Sequence, residues 1–278
     1  MRTKTRTMMN SQRQIWISGV LTVASLCALN GQAWASDKDT IATDRPDFVE
    51  SSNVVGKGRF QFETSFALDK NDRYGIREKI SSTPTLLRFG FHDDFEFRIE
   101  TDGFLSSKYT DRNRKIDQNI SGFSDTSIGL KWHVADAEAG APSIGILVHA
   151  DLDSGSHAFR GQGIRPSIRA VAEWELANDF SLGVMPGLMS QKNENGDRFT
   201  SGIFGIVLGK AWTDQFRSFV ELAAPQITSS KNGGVMATLD IGVAYLLTPT
   251  VQIDTALSKG LNKNTSNVSW TIGISAKY

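Results

Sequence analysis

The ten residues 94–103, DFEFRIETDG, decide how the chain is to be read, because apolar and charged side chains alternate along them. One face of an extended chain carries Phe95, Phe97, Ile99 and Thr101. The other face is charged throughout and consists of Asp94, Glu96, Arg98, Glu100 and Asp102. A period of two is that of a β-strand with unlike faces. One such strand also fits a soluble sheet, so its repetition along the chain is what identifies the fold class.

The same alternation recurs in twelve segments after residue 57. They are 58–69, 79–91, 94–105, 122–134, 143–152, 164–176, 180–189, 199–212, 216–226, 235–247, 251–261 and 267–278. Strands in soluble proteins usually have about five or six residues, whereas about ten tilted residues cross the apolar band of an outer membrane. In 199–212 the facing stays open, because Phe204, Ile206 and Leu208 compete with Ile203 and Val207 for the apolar face.

The connections between these segments alternate in length. Short connections lie at 92–93, 135–142, 177–179, 213–215 and 248–250, and longer polar ones at 70–78, 106–121, 153–163, 190–198, 227–234 and 262–266. Outer-membrane barrels have short periplasmic turns and longer extracellular loops, whereas a soluble periplasmic β-protein has no reason for such alternation. The sequence therefore predicts an all-β, transmembrane, up-and-down antiparallel β-barrel of about twelve strands over 58–278. An even number of strands puts both ends of the barrel on the periplasmic side.

The first 35 residues have the composition of a Sec signal peptide. Four basic and no acidic residues precede the apolar stretch Ile15–Leu29, and Ala33-Trp34-Ala35 fits a small-x-small cleavage site. Removal of 1–35 leaves 278 − 35 = 243 residues, without Cys27, the single cysteine of the chain. The full chain has 30 basic and 30 acidic residues, a balance that argues against a nucleic-acid partner. The predicted location is the outer membrane of a Gram-negative bacterium.

Residues 36–57 do not alternate and form a separate segment ahead of the barrel. They contain the string TDRPDFVES at 43–51, followed by Gly56-Lys57-Gly58 and a first strand that begins with Gln61-Phe62-Glu63. This combination resembles the start of the outer-membrane family named for the meta-pathway (MetA-pathway) of phenol degradation, whose members are called transporters. The residues that carry the resemblance are Thr43, Asp44, Arg45, Pro46, Asp47, Glu50 and Ser51. The resemblance implies a barrel transporter, and the family name points to aromatic or hydrophobic solutes.

Two arrangements of this segment stay open. Its charged side chains can dock against charges inside the barrel, so that the segment acts as a plug, or they can be solvated in a periplasmic tail. In the docked arrangement we expect Arg45 to pair with an inward carboxylate such as Glu96 or Glu100.

The polar face of the predicted barrel gives a candidate solute path. Its members are inward-facing charged or titratable residues: Glu96, Arg98, Glu100, His149, Arg165, Arg169 and Glu173. A barrel of twelve strands is narrow, so the same residues also fit a salt-bridged interior that only supports the wall. We predict passive uptake or efflux of small molecules. The alternative is a structural or adhesion-type barrel without a through-pore.

The sequence predicts no catalysis and no cofactor or metal. No histidine lies in a Gly-x-Ser-x-Gly setting, and the run from His149 to His157 that includes Asp151 and Asp153 is better read as a solvated loop. The predicted partners are a small solute, outer-membrane lipid and lipopolysaccharide, and the barrel-assembly machinery through the terminal aromatic Tyr278. The basic residues of 106–121 would attract lipid A phosphates; they are Lys108, Arg112, Arg114 and Lys115.

Overall fold

The computed structural model describes residues 40–193 and 195–278, so the predicted signal peptide at 1–35 lies outside the described residues. The strands are β1 Phe60–Arg73, β2 Ile76–Ser82, β3 Thr85–His92, β4 Phe95–Thr101, β5 Phe104–Asp111, β6 Ile116–Phe123, β7 Thr126–Ala135, β8 Ser143–Asp151, β9 Arg165–Leu176, β10 Phe180–Lys192, β11 Arg198–Ala211, β12 Phe216–Ile227, β13 Met236–Thr248, β14 Val251–Gly260 and β15 Val268–Lys277. A 3₁₀ turn lies at Ser230–Asn232. No helix in the described ranges has the length and apolar character needed to cross a membrane.

All strands belong to one antiparallel sheet that closes through pairing of β15 with β1. Three of the long barrel strands are each interrupted once and therefore consist of two pieces. These pieces are β2 and β3, β4 and β5, and β6 and β7, with interruptions at residues 83–84, 102–103 and 124–125. The fifteen pieces therefore form twelve barrel strands, and the predicted fold class is confirmed. At the seam the amide of Phe60 donates to the carbonyl of Tyr278 at 3.0 Å. Closure leaves no unpaired edge in lipid.

The two faces of the wall have the predicted polarity. Outward side chains are apolar and exposed, as at Leu130 and Val148, while their inward neighbours Lys131 and His149 are buried. In 198–211, Phe204 and Leu208 are exposed on the outer face and Ile203 and Val207 are buried inside, which settles the facing that the sequence left open. At the end with the short turns, the rings of Phe95 and Trp132 stack with centroids 5.8 Å apart, as in an interfacial aromatic girdle.

Two of the predicted long loops are wrong. Most of 70–78 and 106–121 is strand, because β1 continues to Arg73, β5 to Asp111, and β6 begins at Ile116. The first hairpin turns at Tyr74 and Gly75, both with positive φ, as a tight hairpin turn requires. These strand ends are polar on their outer face, so the apolar alternation that marks a lipid-facing strand is missing although the backbone pairing continues.

Gly90 on β3 touches the backbone that leads into β1. Its carbonyl accepts a hydrogen bond from the amide of Gly58 at 2.6 Å, and a Cβ at position 90 would collide with the carbonyl oxygen of Gly56. We expect Gly90→Ala to lower the free energy of unfolding by about 1–3 kcal/mol, because backbone rather than a flexible side chain must move. Urea unfolding in detergent, followed by tryptophan fluorescence, measures this change.

The matched control is Gly202→Ala on β11. A Cβ there would lie 3.4 Å from the Cβ of Ile227, an ordinary contact. An equal loss of stability in both variants would contradict the close approach at Gly90.

Candidate functional site

Residues 40–57, here called the lumen segment, run inside the barrel. The amide of Ile41 donates to the carbonyl of Pro249 at 2.8 Å, in the short turn between β13 and β14. Further along, the hydroxyl of Ser52 lies 2.8 Å from that of Ser143 on β8. Val55 is buried, and its amide donates to Glu96 at 2.9 Å. The segment therefore enters the lumen at the short-turn end, contacts inward-facing side chains around the wall, and returns to the same end.

Asp44 is the acidic centre of three wall cations. The ammonium of Lys131 on β7 lies 2.9 Å from its carboxylate, the guanidinium of Arg88 on β3 lies 3.4 Å away, and Arg98 on β4 donates to it directly. Arg88 and Arg98 are directly opposite each other in the β3–β4 register. Like charges in that position repel, and Asp44 relieves the repulsion. All four side chains are at most 3% exposed.

The same cluster extends along the wall in both directions. Glu63 and Glu96 accept hydrogen bonds from Arg88 at 3.1 and 2.8 Å, and Glu50 lies between Arg98 at 2.8 Å and Arg169 at 2.6 Å. It joins four carboxylates, Asp44, Glu50, Glu63 and Glu96, to four cations, Arg88, Arg98, Lys131 and Arg169. Buried charges need partners of opposite sign, and here half of the carboxylates come from the lumen segment.

The surroundings hold both carboxylates of the lumen segment in the ionised form. Burial opposes ionisation of Asp44, but Arg88, Lys131 and Arg98 outweigh it and hold the pKa of Asp44 well below its usual range. Burial likewise opposes ionisation of Glu50, and the attraction of Arg98 and Arg169 lowers its pKa from 4.5 to about 2. Both groups are therefore charged at neutral pH and attract the wall cations fully.

Wall carboxylates also satisfy the backbone of the lumen segment. Glu221 on β12 accepts hydrogen bonds from the amides of Phe48 and Val49 at 2.8 and 2.7 Å, and Glu173 on β9 accepts from the amide of Ser52 at 2.6 Å. Buried amides must be paired, and these two wall side chains supply the acceptors. The segment is thus held by its peptide groups as well as by its charges.

Arg45 pairs with an inward carboxylate of the wall as expected, but the residue is Asp254 and the two named candidates were wrong. Its guanidinium donates to Asp254 on β14 at 3.1 Å and to Thr271 on β15 at 2.9 Å, not to Glu96 or Glu100. Glu96 is already bonded to Arg88 and Arg98 on the β3–β4 side of the lumen. Strand alternation tells which carboxylates face inward, but not which of them lies at the level of a given residue in the segment.

Beside the charge cluster, several inward-facing side chains are apolar: Leu147 lies directly between Lys131 and Arg169 in the strand register. Val49 is buried there among inward-facing side chains of β8–β12, and Phe48 packs against the same group. This apolar socket consists of Leu147, Val171, Met185, Val207 and Phe219. A Cβ at Gly205 would lie 3.1 Å from the ring of Phe48, so the glycine makes room for it. The sequence analysis did not single out these residues, although the breaks in the polar faces at Leu147 and Val171 are the signal that would have found them.

The seven predicted path residues divide into two groups. Glu96, Arg98, Arg169 and Glu173 contact the lumen segment. The others lie beyond it, towards the long loops. There the buried His149 ring lies 3.6 Å from Glu100, with no hydrogen bond to either ring nitrogen, and Arg165 binds Asp125 at 2.8 Å. Asp125 also accepts from the amides of Gly155 and Gly161, so Arg165 helps to hold the loop after β8.

Some space remains beside the lumen segment. A cavity of about 250 Å³ lies between the segment and β9–β12, lined among others by Asp47, Val49, Glu173, Gly183 and Arg217. Within the described part of the chain, no group of three or more His, Cys, Asp or Glu side chains is arranged to hold a metal ion.

Acid is expected to loosen the lumen segment. The lowered pKa values of Asp44 and Glu50 mean that their stabilisation of docking is complete above about pH 4.5 and decreases as the pH falls towards 2. For Glu50 alone the shift from 4.5 to about 2 corresponds to about 3 kcal/mol. A spin label at Asn53→Cys should become mobile between pH 4.5 and 2.5. In Glu50→Gln it should already be more mobile at pH 7, and a label whose mobility ignores both changes would contradict the ion-pair account.

The fold is similar to those of solved outer-membrane barrels. An outer-membrane channel from Pseudomonas putida F1 superposes with a TM-score of 0.59 at 10% identity, over 82% of this chain and 98% of that one. The β domain of the Bordetella autotransporter BrkA superposes with a TM-score of 0.52 at 14% identity, over 80% of this chain and 100% of that one. No curated protein matches the sequence. The model of the family described as "Putative MetA-pathway of phenol degradation" matches residues 43–278, and the chain belongs to this family.

Proposed function

We propose that the protein is an outer-membrane channel for passive movement of small molecules, and that its own lumen segment closes it at rest. The observation that carries this proposal is Asp44, which lies inside the barrel and is ion-paired with Arg98 and Lys131 of the wall. The protein is exported by the Sec signal peptide at 1–35, and Tyr278 is recognised by the barrel-assembly machinery. It works without an enzymatic step or a cofactor.

The way the segment is attached favours a removable closure over a fixed part of the wall. The barrel strands pair with one another in a complete ring without it. The hydrogen bonds described between residues 42–55 and the wall run through side chains, as in those from Gln252 to Thr43 and from Arg217 to Arg45. Withdrawal therefore breaks no strand pairing, and its cost is the separation and rehydration of the buried ion pairs.

The apolar socket and the cations beside it favour a solute with an apolar ring and a polar group. The apolar socket holds Phe48 and Val49 as it would hold an aromatic or hydrophobic compound, while the neighbouring cations Lys131 and Arg169 suit a hydroxyl or carboxylate. Small-molecule sites combine apolar walls with a few polar groups in this way. Such a solute would take the place of Phe48 and Val49, in keeping with the phenol-related name of the family.

A reversible covalent lock tests whether the segment closes the channel. The hydroxyls of Ser52 and Ser143 are 2.8 Å apart, and Ser→Cys preserves size, so Ser52→Cys/Ser143→Cys should form a disulfide. In planar bilayers we expect no current steps from the oxidised mature protein and steps after reduction, because only the reduced segment can leave. Each single cysteine variant is the control and should not respond to reductant.

The lock also distinguishes the channel from a structural barrel without a through-pore. The buried charges in the lumen are the observation in favour of that second function. Silence in both redox states, and also in a folded variant that lacks residues 40–52, would identify a structural barrel and contradict the channel.

A polar substitution in the socket tests the class of solute. In the variant lacking 40–52, phenol should reduce single-channel current at lower concentration than glucose does. Met185 is fully buried against Val49, and Met185→Gln should raise the phenol concentration needed by about tenfold, which corresponds to the loss of part of one apolar contact surface. Met189→Gln, on the same face of β10 outside the socket, is the control. Equal effects of both substitutions would show that phenol does not bind in the socket.

A further inference from the structure

Three lysines form a row across neighbouring strands at the long-loop end of the barrel. Lys70 on β1 is directly opposite Lys79 on β2, and Lys79 is directly opposite Lys108 on β5. All three are exposed. Directly opposite residues on adjacent strands have Cβ atoms roughly 5 Å apart, so the row covers about 10 Å. Like charges in this arrangement destabilise a sheet unless an anion compensates them.

The row faces outward, on the lipid side of the wall. Side chains alternate along β1, so Lys70 shares its face with Phe66 and Leu68. Phe66 is 44% exposed and meets Trp270 edge-on with ring centroids 6.4 Å apart, as in an aromatic girdle. Leu68 is opposite Trp270 in the register, which puts the lysine row one step beyond the girdle, away from the hydrocarbon.

A second row of hydrogen-bond donors lies beside the lysines. Ser81, Ser106 and Ser121 are directly opposite one another on β2, β5 and β6, in the same register line as Leu68. Elsewhere on the outer wall such a position holds a large apolar residue, as Leu257 does beside Trp270. Three hydroxyls at this level indicate a polar environment outside the barrel wall, where a lipid headgroup would lie.

The nearby carboxylates have other partners. Asp72, one step further out, binds Arg77 at 2.9 Å and Arg112 at 3.1 Å, and Asp117 accepts from Thr110. Glu78 is on the lumen face and accepts from Ser107. In the described ranges, the ion pairs at this end of the wall do not include the three lysines. The lysines and serines thus form a patch of donors without an acceptor charge.

We propose that this patch binds the phosphate groups of the phosphorylated glycolipid, lipid A, in the outer leaflet of the membrane. Ammonium groups and hydroxyls are the donors that a phosphate requires, and the patch lies between an aromatic girdle and a charged, water-facing row. The membrane's own headgroups occupy that level, and their phosphates neutralise the lysine row. The site is independent of whether the lumen conducts solutes.

A matched pair of triple variants tests the site. Lys70→Gln/Lys79→Gln/Lys108→Gln removes the row, and Lys192→Gln/Lys231→Gln/Lys263→Gln removes the same charge from exposed positions at the same end of the barrel. Native mass spectrometry in detergent measures the binding of lipid A, of phosphate-free lipid A and of inorganic phosphate. With about 1 kcal/mol for each lysine near a lipid surface, we expect roughly hundredfold weaker binding of lipid A by the row variant and unchanged binding by the control.

Three results would overturn the proposal. They are equal binding of lipid A by both triple variants, equal binding of lipid A with and without phosphates, and binding of inorganic phosphate as tight as that of lipid A. The last result would identify a site for free phosphate instead of a lipid site. Heat-modifiable migration in gels verifies that both variants are folded barrels, so a folding defect is not mistaken for lost binding.

Discussion

The inside of the barrel depends on the position of Asp44 among Arg88, Arg98 and Lys131. A narrow, closed wall that turns its polar face inward must compensate the charges that it buries. Of the four carboxylates that are ion-paired in this cluster, the wall supplies Glu63 and Glu96, and the lumen segment supplies Asp44 and Glu50. Without the segment the cations Arg88, Arg98, Lys131 and Arg169 would lose two carboxylate partners, so an open state must be hydrated.

The charged and apolar residues that line the lumen explain the composition of the string at 43–51. Each of its charged residues meets a wall partner of opposite sign: Asp44 meets Lys131, Arg45 meets Asp254, Asp47 meets Arg217 and Glu50 meets Arg98. The two apolar residues within the string, Phe48 and Val49, pack into the socket on β8–β12. The pattern of charged and apolar residues in the segment is therefore complementary to the charged and apolar side chains that line the lumen, which a solvated tail would not require.

Sequence periodicity predicted the fold because contact with lipid requires apolar side chains on the outer face of each strand. The prediction failed where the strands extend beyond the hydrocarbon. Alternation of Phe97 and Ile99 with Arg98 located a strand of the wall, whereas the paired strand ends at 70–73 and 106–111 are polar and were read as loops. Inward facing was predicted correctly for Glu96 and Arg98. The partner of Arg45 was not, because its choice depends on strand tilt and register, which no single strand encodes. The socket was missed because a single apolar residue such as Leu147 or Val171 in an otherwise polar face does not by itself indicate an apolar cluster.

Strand β1 is in contact with the lumen on one face and with the membrane on the other. Its inward residues, Glu63 and Ser65, are buried in a polar lumen, while its outward residues proceed from Phe66 and Leu68 at the hydrocarbon to Lys70 beyond the girdle. Because successive side chains point to opposite faces, the two series are constrained separately, one by the lumen segment and the other by the membrane. The outer series changes character with depth, since the bilayer changes from hydrocarbon to headgroup to water. The inner series instead follows the segment, so the proposed solute passage and the proposed lipid contact involve different residues of the same strand.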